Sequence, residues 1–170
     1  MKRLFLLFNL LVIVTIGFAQ STSCNCCTDN HQAFDFWEGT WEVSKPDGSE
    51  AGTNVIDKIQ DGCILRENWT SASAGYTGTS YNFYNAQKNQ WEQIWVDNQG
   101  GSLHLKGNRV GNQMILESDE LKNQQGQLYK NRVTWTLNED GSVRQLWEYL
   151  QGEKVVGVAF DGLYKKKVQE

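Results

Sequence analysis

The sequence predicts an all-β protein: a closed antiparallel up-and-down barrel of about ten strands, preceded by a short N-terminal helical turn. Three observations predict it. From Pro46 onward, turn signals recur at short intervals with almost no helical periodicity between them. The segments they bound alternate side-chain character with a period of two. The single proline lies in a turn, so nothing blocks ladder pairing.

The elements follow in order. Residues 1–19 read as a signal peptide: Lys2 and Arg3 supply a positive start, Leu4 to Phe18 an apolar run, and Gly17-Phe18-Ala19 the small residues of a cleavage site before Gln20. The apolar run falls short of a membrane span of about 20 residues, so no stable span is expected after cleavage. Ser21-Thr22-Ser23 ahead of Cys24 does not form a lipoprotein box, which leaves an exported, periplasmic or secreted protein without a lipid anchor. A Cys-containing segment follows at 20–33, and a barrel domain at 34–167. Residues 31–37 are expected to form one helical turn under the barrel floor.

Strands are expected at 38–45, 50–60, 63–71, 77–85, 90–97, 102–108, 113–118, 127–137, 142–150 and 154–165. Pro46-Asp47-Gly48-Ser49, Asp61-Gly62, Asn98-Gln99-Gly100-Gly101, Gly111-Asn112, Glu139-Asp140-Gly141 and Gly152-Glu153 carry the turn residues between them. The Asn/Gln-rich patch from Lys122 to Gln127 reads as the longest loop tip. A meander of this length exposes two edges unless it closes, and closure removes both.

Composition narrows the function. The chain carries 16 basic and 20 acidic residues. Without Lys2 and Arg3 the balance is 14 to 20, or −6, and no basic stripe marks a nucleic-acid or anionic-membrane surface. Lys165-Lys166-Lys167 reads as a solvated tail. The oligomeric state is not legible.

Alternation places Cys63, Leu65, Glu67 and Trp69 on one face, Trp91, Gln93, Trp95 and Asp97 on another, and Val143, Gln145, Trp147 and Tyr149 on a third. Val133, Trp135 and Leu137 share a face, as do Phe160, Gly162 and Tyr164. Aromatic bulk with a few hydrogen-bonding groups describes a small-molecule cavity better than a solid core, where each unpaired polar group would cost about 1–3 kcal/mol. The expected function is therefore binding of a small, partly apolar ligand. Glu67, Trp69, Asn82, Gln93, Trp95, Asp97, Trp135, Gln145 and Trp147 are its expected contacts, with Asp97 at the rim.

No catalytic, phosphate-binding or dinucleotide motif is present, so no catalytic residue is assigned. A small hydrolase or isomerase using Glu67 or His104 as base is the alternative. His104, between Leu103 and Leu105, is expected to face solvent. Glu148 is a further candidate cavity carboxylate, and Arg66, Arg132 and Arg144 are candidate partners for the carboxylates. Four cysteines in an exported chain point to oxidation. Cys63 is the one distant partner for Cys24, Cys26 or Cys27, and the remaining two would be free or joined to each other. A soft-metal or redox role for Cys24, Cys26, Cys27 and His31 is the competing reading; no metal site is assigned.

Phe34-Asp35-Phe36-Trp37-Glu38-Gly39-Thr40-Trp41, Trp91 to Asp97, Arg132 to Trp135, Val143 to Glu148 and Phe160 to Tyr164 resemble an uncharacterised family of small exported bacterial proteins. The resemblance covers about residues 34–166 and implies a lipocalin-like, calycin-type barrel with no catalytic signature. More distantly, the Gly-x-Trp opening is similar to that of nitrobindin, a ten-stranded haem barrel, which implies haem ligated by a His on a late strand. The chain has no His after His104, which argues against haem, and no cofactor is expected.

Overall fold

The computed structural model describes residues 24–167. The expected signal peptide lies outside the described residues. Two short helical turns open the described residues. The first is α1 (Asp29–Gln32), whose N-cap Thr28 accepts a hydrogen bond from the His31 backbone N–H. A 3-10 turn (Asp35–Trp37) follows. The helical element thus begins two residues earlier than expected and is broken at Ala33–Phe34.

Eleven antiparallel strands follow: β1 (Gly39–Ser44), β2 (Glu50–Ile59), β3 (Ile64–Ser71), β4 (Thr77–Asn85), β5 (Gln90–Asp97), β6 (Ser102–Val110), β7 (Gln113–Glu117), β8 (Leu121–Lys122), β9 (Leu128–Leu137), β10 (Val143–Gln151) and β11 (Lys154–Lys166). Each long strand pairs with its neighbour in sequence, β7 passes to β9, and β11 returns to β1 through pairs such as Val43↔Tyr164. Ten strands close the ring. β8 is a two-residue addition that pairs only with the start of β9. The expected loop tip at 122–127 is therefore a small hairpin, held by the Asn123 side chain, whose Oδ1 accepts from the Gln125 and Gln127 backbone N–H groups.

The longest strand carries two bulges. β11 carries two register shifts against β10, opposite Trp147/Glu148 and Tyr149/Leu150, and such bulges add the local twist that a small barrel requires. The β6–β7 and β10–β11 connections are two-residue turns. Gly111 (φ 60°) and Gly152 (φ 56°) open them in the positive-φ conformation that suits tight hairpins. Lys165 and Lys166 belong to β11, opposite Glu42 and Trp41, and the Lys166 ammonium lies 5.3 Å from the Trp41 ring centroid. The expected lysine tail is in large part strand.

One end of the barrel is plugged. Phe34, Trp37, Trp41 and Trp135 are fully buried there, with Trp91 and Tyr164 nearly so. Phe34 stacks on Trp37 at 5.0 Å, and Trp135 meets Phe34 at 5.1 Å and Trp37 at 5.3 Å. The Trp41 indole N–H donates to the Trp37 carbonyl at 2.9 Å, tying the plug to the first strand. Burying aromatic rings of this size contributes several kcal/mol, most of it non-directional. The Phe34-to-Trp41 segment is thus the barrel's floor.

Two disulfides fasten the N-terminal segment: Cys26–Cys63 pins it to the β2–β3 turn, and Cys24–Cys27 closes a small loop within it. Among the described residues, no helix is long and apolar enough to cross a membrane.

Candidate functional site

The other end of the barrel is open. A cavity of about 180 Å³ lies above the aromatic floor. Six aromatic side chains line it: Trp69, Tyr76, Trp95, Trp147, Phe160 and Tyr164. Leu103, Val133 and Ala159 complete the apolar wall, and Glu67, Gln93 and Gln145 supply the polar groups. The lumen is therefore filled at one end and hollow at the other.

Strand alternation delivers these side chains in pairs. Glu67 and Trp69 point inward from β3, Gln93 and Trp95 from β5, and Gln145 and Trp147 from β10. Glycines set the ring positions. A Cβ at Gly78 would lie 2.1 Å from the Trp95 ring, and one at Gly162 would lie 2.5 Å from Phe160. The backbone at those two points leaves the space the rings occupy. Trp147 is fixed at the other end of its indole, where Nε1 donates to the buried Asn131 Oδ1 at 2.8 Å.

Glu67 is the centre of a buried polar network. Asn54 Nδ2 donates to its Oε1 at 2.7 Å, and the Ser80 hydroxyl donates to its Oε2 at 2.6 Å. Asn82 Nδ2 donates to Ser80 Oγ at 2.9 Å and to the Leu65 carbonyl at 3.0 Å, and Gln93 Nε2 donates to Asn82 Oδ1 at 2.8 Å. The donors run in one direction and end on the carboxyl. Asn54 Nδ2 also lies 3.4 Å from the Tyr164 hydroxyl, which in turn donates to Gln145 Oε1.

Glu67 is 4 % exposed, and burial lifts its pKa to about 7 against the opposing hydrogen bonds from Ser80 and Asn54. Tyr164 is pushed well above the usual tyrosine range by burial and by the Glu67 charge. Tyr76 is also raised, by burial first and then by Asp97, whose carboxylate accepts from its hydroxyl at 3.2 Å.

Of the nine expected contacts, Glu67, Trp69, Gln93, Trp95, Gln145 and Trp147 line the cavity. The other three lie elsewhere. Trp135 is part of the floor, packed on Phe34 and Trp37. Asn82 faces the lumen but is fully buried between the cavity and the floor, where its amide is spent on Leu65, Ser80 and Gln93. Asp97 closes the β5–β6 turn by accepting from the Gln99 and Gly101 backbone N–H groups. Sequence reasoning missed Tyr76, which sits in a turn just before β4 and has no strand pattern to reveal it. Phe160 and Tyr164 were on a recognised face, and the signal that would have promoted them was their pairing across β10 with Trp147 and Val143.

The arginine partners are on the outer surface. Arg66 pairs with Asp57 at 2.8 Å, Arg132 with Glu148 at 2.9 Å, and Arg144 with Asp161 at 2.7 Å. Glu148 alternates with the inward Trp147 and so faces away from the lumen. His104 is likewise outside: it is exposed, and its Nε2 lies 3.1 Å from Glu92 Oε2. Glu92 is held down to about 2, because hydrogen bonds from Lys88, Gln90, Asn85 and His104 outweigh the upward effect of its burial. With all four cysteines in disulfides, no thiolate is left to bind a soft metal. Among the described residues, no group of three or more His, Cys, Asp or Glu side chains is placed to hold a metal ion.

A closed ten-strand antiparallel barrel with a plugged floor and an aromatic-lined mouth fits a calycin-like fold, and such a barrel is compatible with holding a small ligand. Comparison with protein-family models and with curated protein sequences finds no match.

Proposed function

We propose that this is an exported binding protein that holds a small, partly apolar molecule in the open end of its barrel. The observation that carries the reading is the cavity itself: six aromatic walls and three polar groups around about 180 Å³ of space. A protein that needed only a core would fill that space, because unfilled volume forfeits packing energy. Small-molecule sites combine apolar walls with a few orienting polar groups in this way. The volume is below the roughly 300–1,000 Å³ typical of drug-sized ligands and close to the ~150 Å³ that accommodates one benzene ring. The part of the ligand held inside the mouth is therefore about the size of a single ring.

Export is supported by the N-terminal signal pattern and by two disulfides, which persist in oxidising compartments. Likeness to the exported lipocalin-like family rests on the residue patterns at 34–41, 91–97, 132–135, 143–148 and 160–164, and the ten-strand barrel is in keeping with it. Native mass spectrometry of the gently purified protein, before and after denaturation, tests the binding reading. A bound mass that disappears on unfolding supports it. Trp95→Ala should weaken ligand binding and reduce the accompanying tryptophan fluorescence change; unchanged binding would mean the ligand sits elsewhere.

A second reading has one observation in its favour. A buried carboxyl at the cavity wall with a pKa near 7 is poised for proton transfer, so Glu67 would be the acid–base group of a small hydrolase or isomerase. His104 does not share that role, since it lies outside the barrel. Turnover that survives Glu67→Gln would remove this reading.

A further inference from the structure

The charge and surface of the cavity identify the class of ligand more narrowly. We propose that the cavity takes a small organic ammonium cation, held against aromatic ring faces with its charge opposite the Glu67 carboxylate. This rests on the binding reading above and deepens it.

The lining contains six aromatic rings and one carboxyl, and no Lys, Arg or His. A cavity built for an anion would offer at least one cationic group at the wall. Of the wall amides, Gln93 Nε2 is taken up by Asn82 Oδ1, while Gln145, whose Oε1 accepts from Tyr164, keeps its N–H donors for a neutral acceptor such as a ligand hydroxyl. The hydrogen-bond chain from Gln93 through Asn82 and Ser80 delivers its donors to the Glu67 carboxyl and so favours its ionised form. The two hydrogen bonds leave lone pairs on both oxygens, since a carboxylate offers about four acceptor sites.

Ring faces carry negative potential, and an alkylammonium group is weakly hydrated. Cages of Trp, Tyr and Phe therefore recognise such cations, most strongly when water is excluded. An ionised carboxylate in the same cavity adds direct Coulomb attraction at low local dielectric. A neutral ligand of the same shape would fill the space and gain neither term.

The groups facing Glu67 do not compete for this role. Asn54 faces it from β2 and Ser80 from β4, with Gln93 beyond on β5 and Gln145 on β10; none of these titrates. Tyr164 from β11 and Tyr76 ahead of β4 titrate only at high pH, both raised first by burial. Asp97 stands behind Tyr76, committed to the β5–β6 turn.

The test compares choline with its uncharged isostere 3,3-dimethylbutan-1-ol, by calorimetry and tryptophan fluorescence at pH 5.5 and 8.0. Choline should bind at least about tenfold more tightly than the isostere at pH 8.0. Its affinity should fall by up to about thirtyfold at pH 5.5, as Glu67 takes up a proton, while the isostere shows no such change. Glu67→Gln should remove both the preference and the pH dependence. The wild-type pH profile stands as evidence even if that variant folds poorly. Equal or tighter binding of the isostere, or of a neutral ring such as indole, at pH 8.0 would overturn the cation assignment and leave cavity binding intact. Binding of none of the three would overturn both.

Discussion

Replacing Glu67 by Gln should change how stability depends on pH, with a magnitude set by the carboxyl's burial. In the unfolded chain this group has the ordinary value of 4.5, and in the barrel it lies near 7. The folded value is the higher one. The protonated form is therefore favoured by folding, and the contribution is fully present below about pH 4.5. Between about pH 4.5 and 7 the unfolded chain loses its proton while the folded protein keeps it, so stability falls as pH rises. A difference of about 2.5 units corresponds to about 3 kcal/mol once pH exceeds 7, and to about 2–3 kcal/mol between pH 5 and 8. Gln is nearly isosteric and does not titrate. It can meet its neighbours because Asn54 Oδ1, buried without a partner, can accept from an amide N–H after a flip of the Asn54 side chain.

The assay is urea unfolding of oxidised wild type and Glu67→Gln at half-unit steps from pH 4.5 to 8.5. With a slope of roughly 2 kcal/mol per molar urea, the wild-type midpoint should drop by about 1–1.5 M relative to the variant across that range. A constant gap between the two proteins at every pH would refute the reasoning, since it would mean that folding leaves the titration of Glu67 unchanged.

The remaining predictions concern the frame around the cavity. Removing Cys26–Cys63 by a double Cys→Ala change opens a loop of sequence separation 37 and should cost about 3–4 kcal/mol in urea unfolding, whereas removing Cys24–Cys27, at separation 3, should cost less than half as much. Phe34→Ala empties the centre of the floor, where the ring is fully buried, and should destabilise by about 3–5 kcal/mol; a loss under 1 kcal/mol would mean the plug is not packed as described. Gly78→Val drives a side chain into the Trp95 ring and should cost about 1–3 kcal/mol, shift the tryptophan emission and weaken ligand binding together. His104→Ala, on the outer face, should leave ligand binding unchanged in the same fluorescence titration.

The sequence by itself determined the ten strands of the ring and the faces of the cavity pairs, but not the short β8. Side-chain direction in a strand has a period of two and is a local property, so Glu67 with Trp69, Gln93 with Trp95, and Gln145 with Trp147 could be paired on inward faces from spacing alone. Turn residues such as Gly111 and Gly152 marked where the chain reverses, because positive φ is a local demand. Depth along the barrel was a different matter. Trp135 and Asn82 face inward as alternation requires, yet they lie at the floor or between it and the cavity, because depth depends on strand stagger and on where the Phe34–Trp37 plug seats. Only the tertiary structure decided that Tyr76 joins the wall, that Cys63 meets Cys26 and not Cys24 or Cys27, and that the arginine pairs stand outside. The raised pKa of Glu67 belongs to the same class. A carboxylate's charge is written in the sequence, but the removal of water around it is the work of residues from five other strands closing over it.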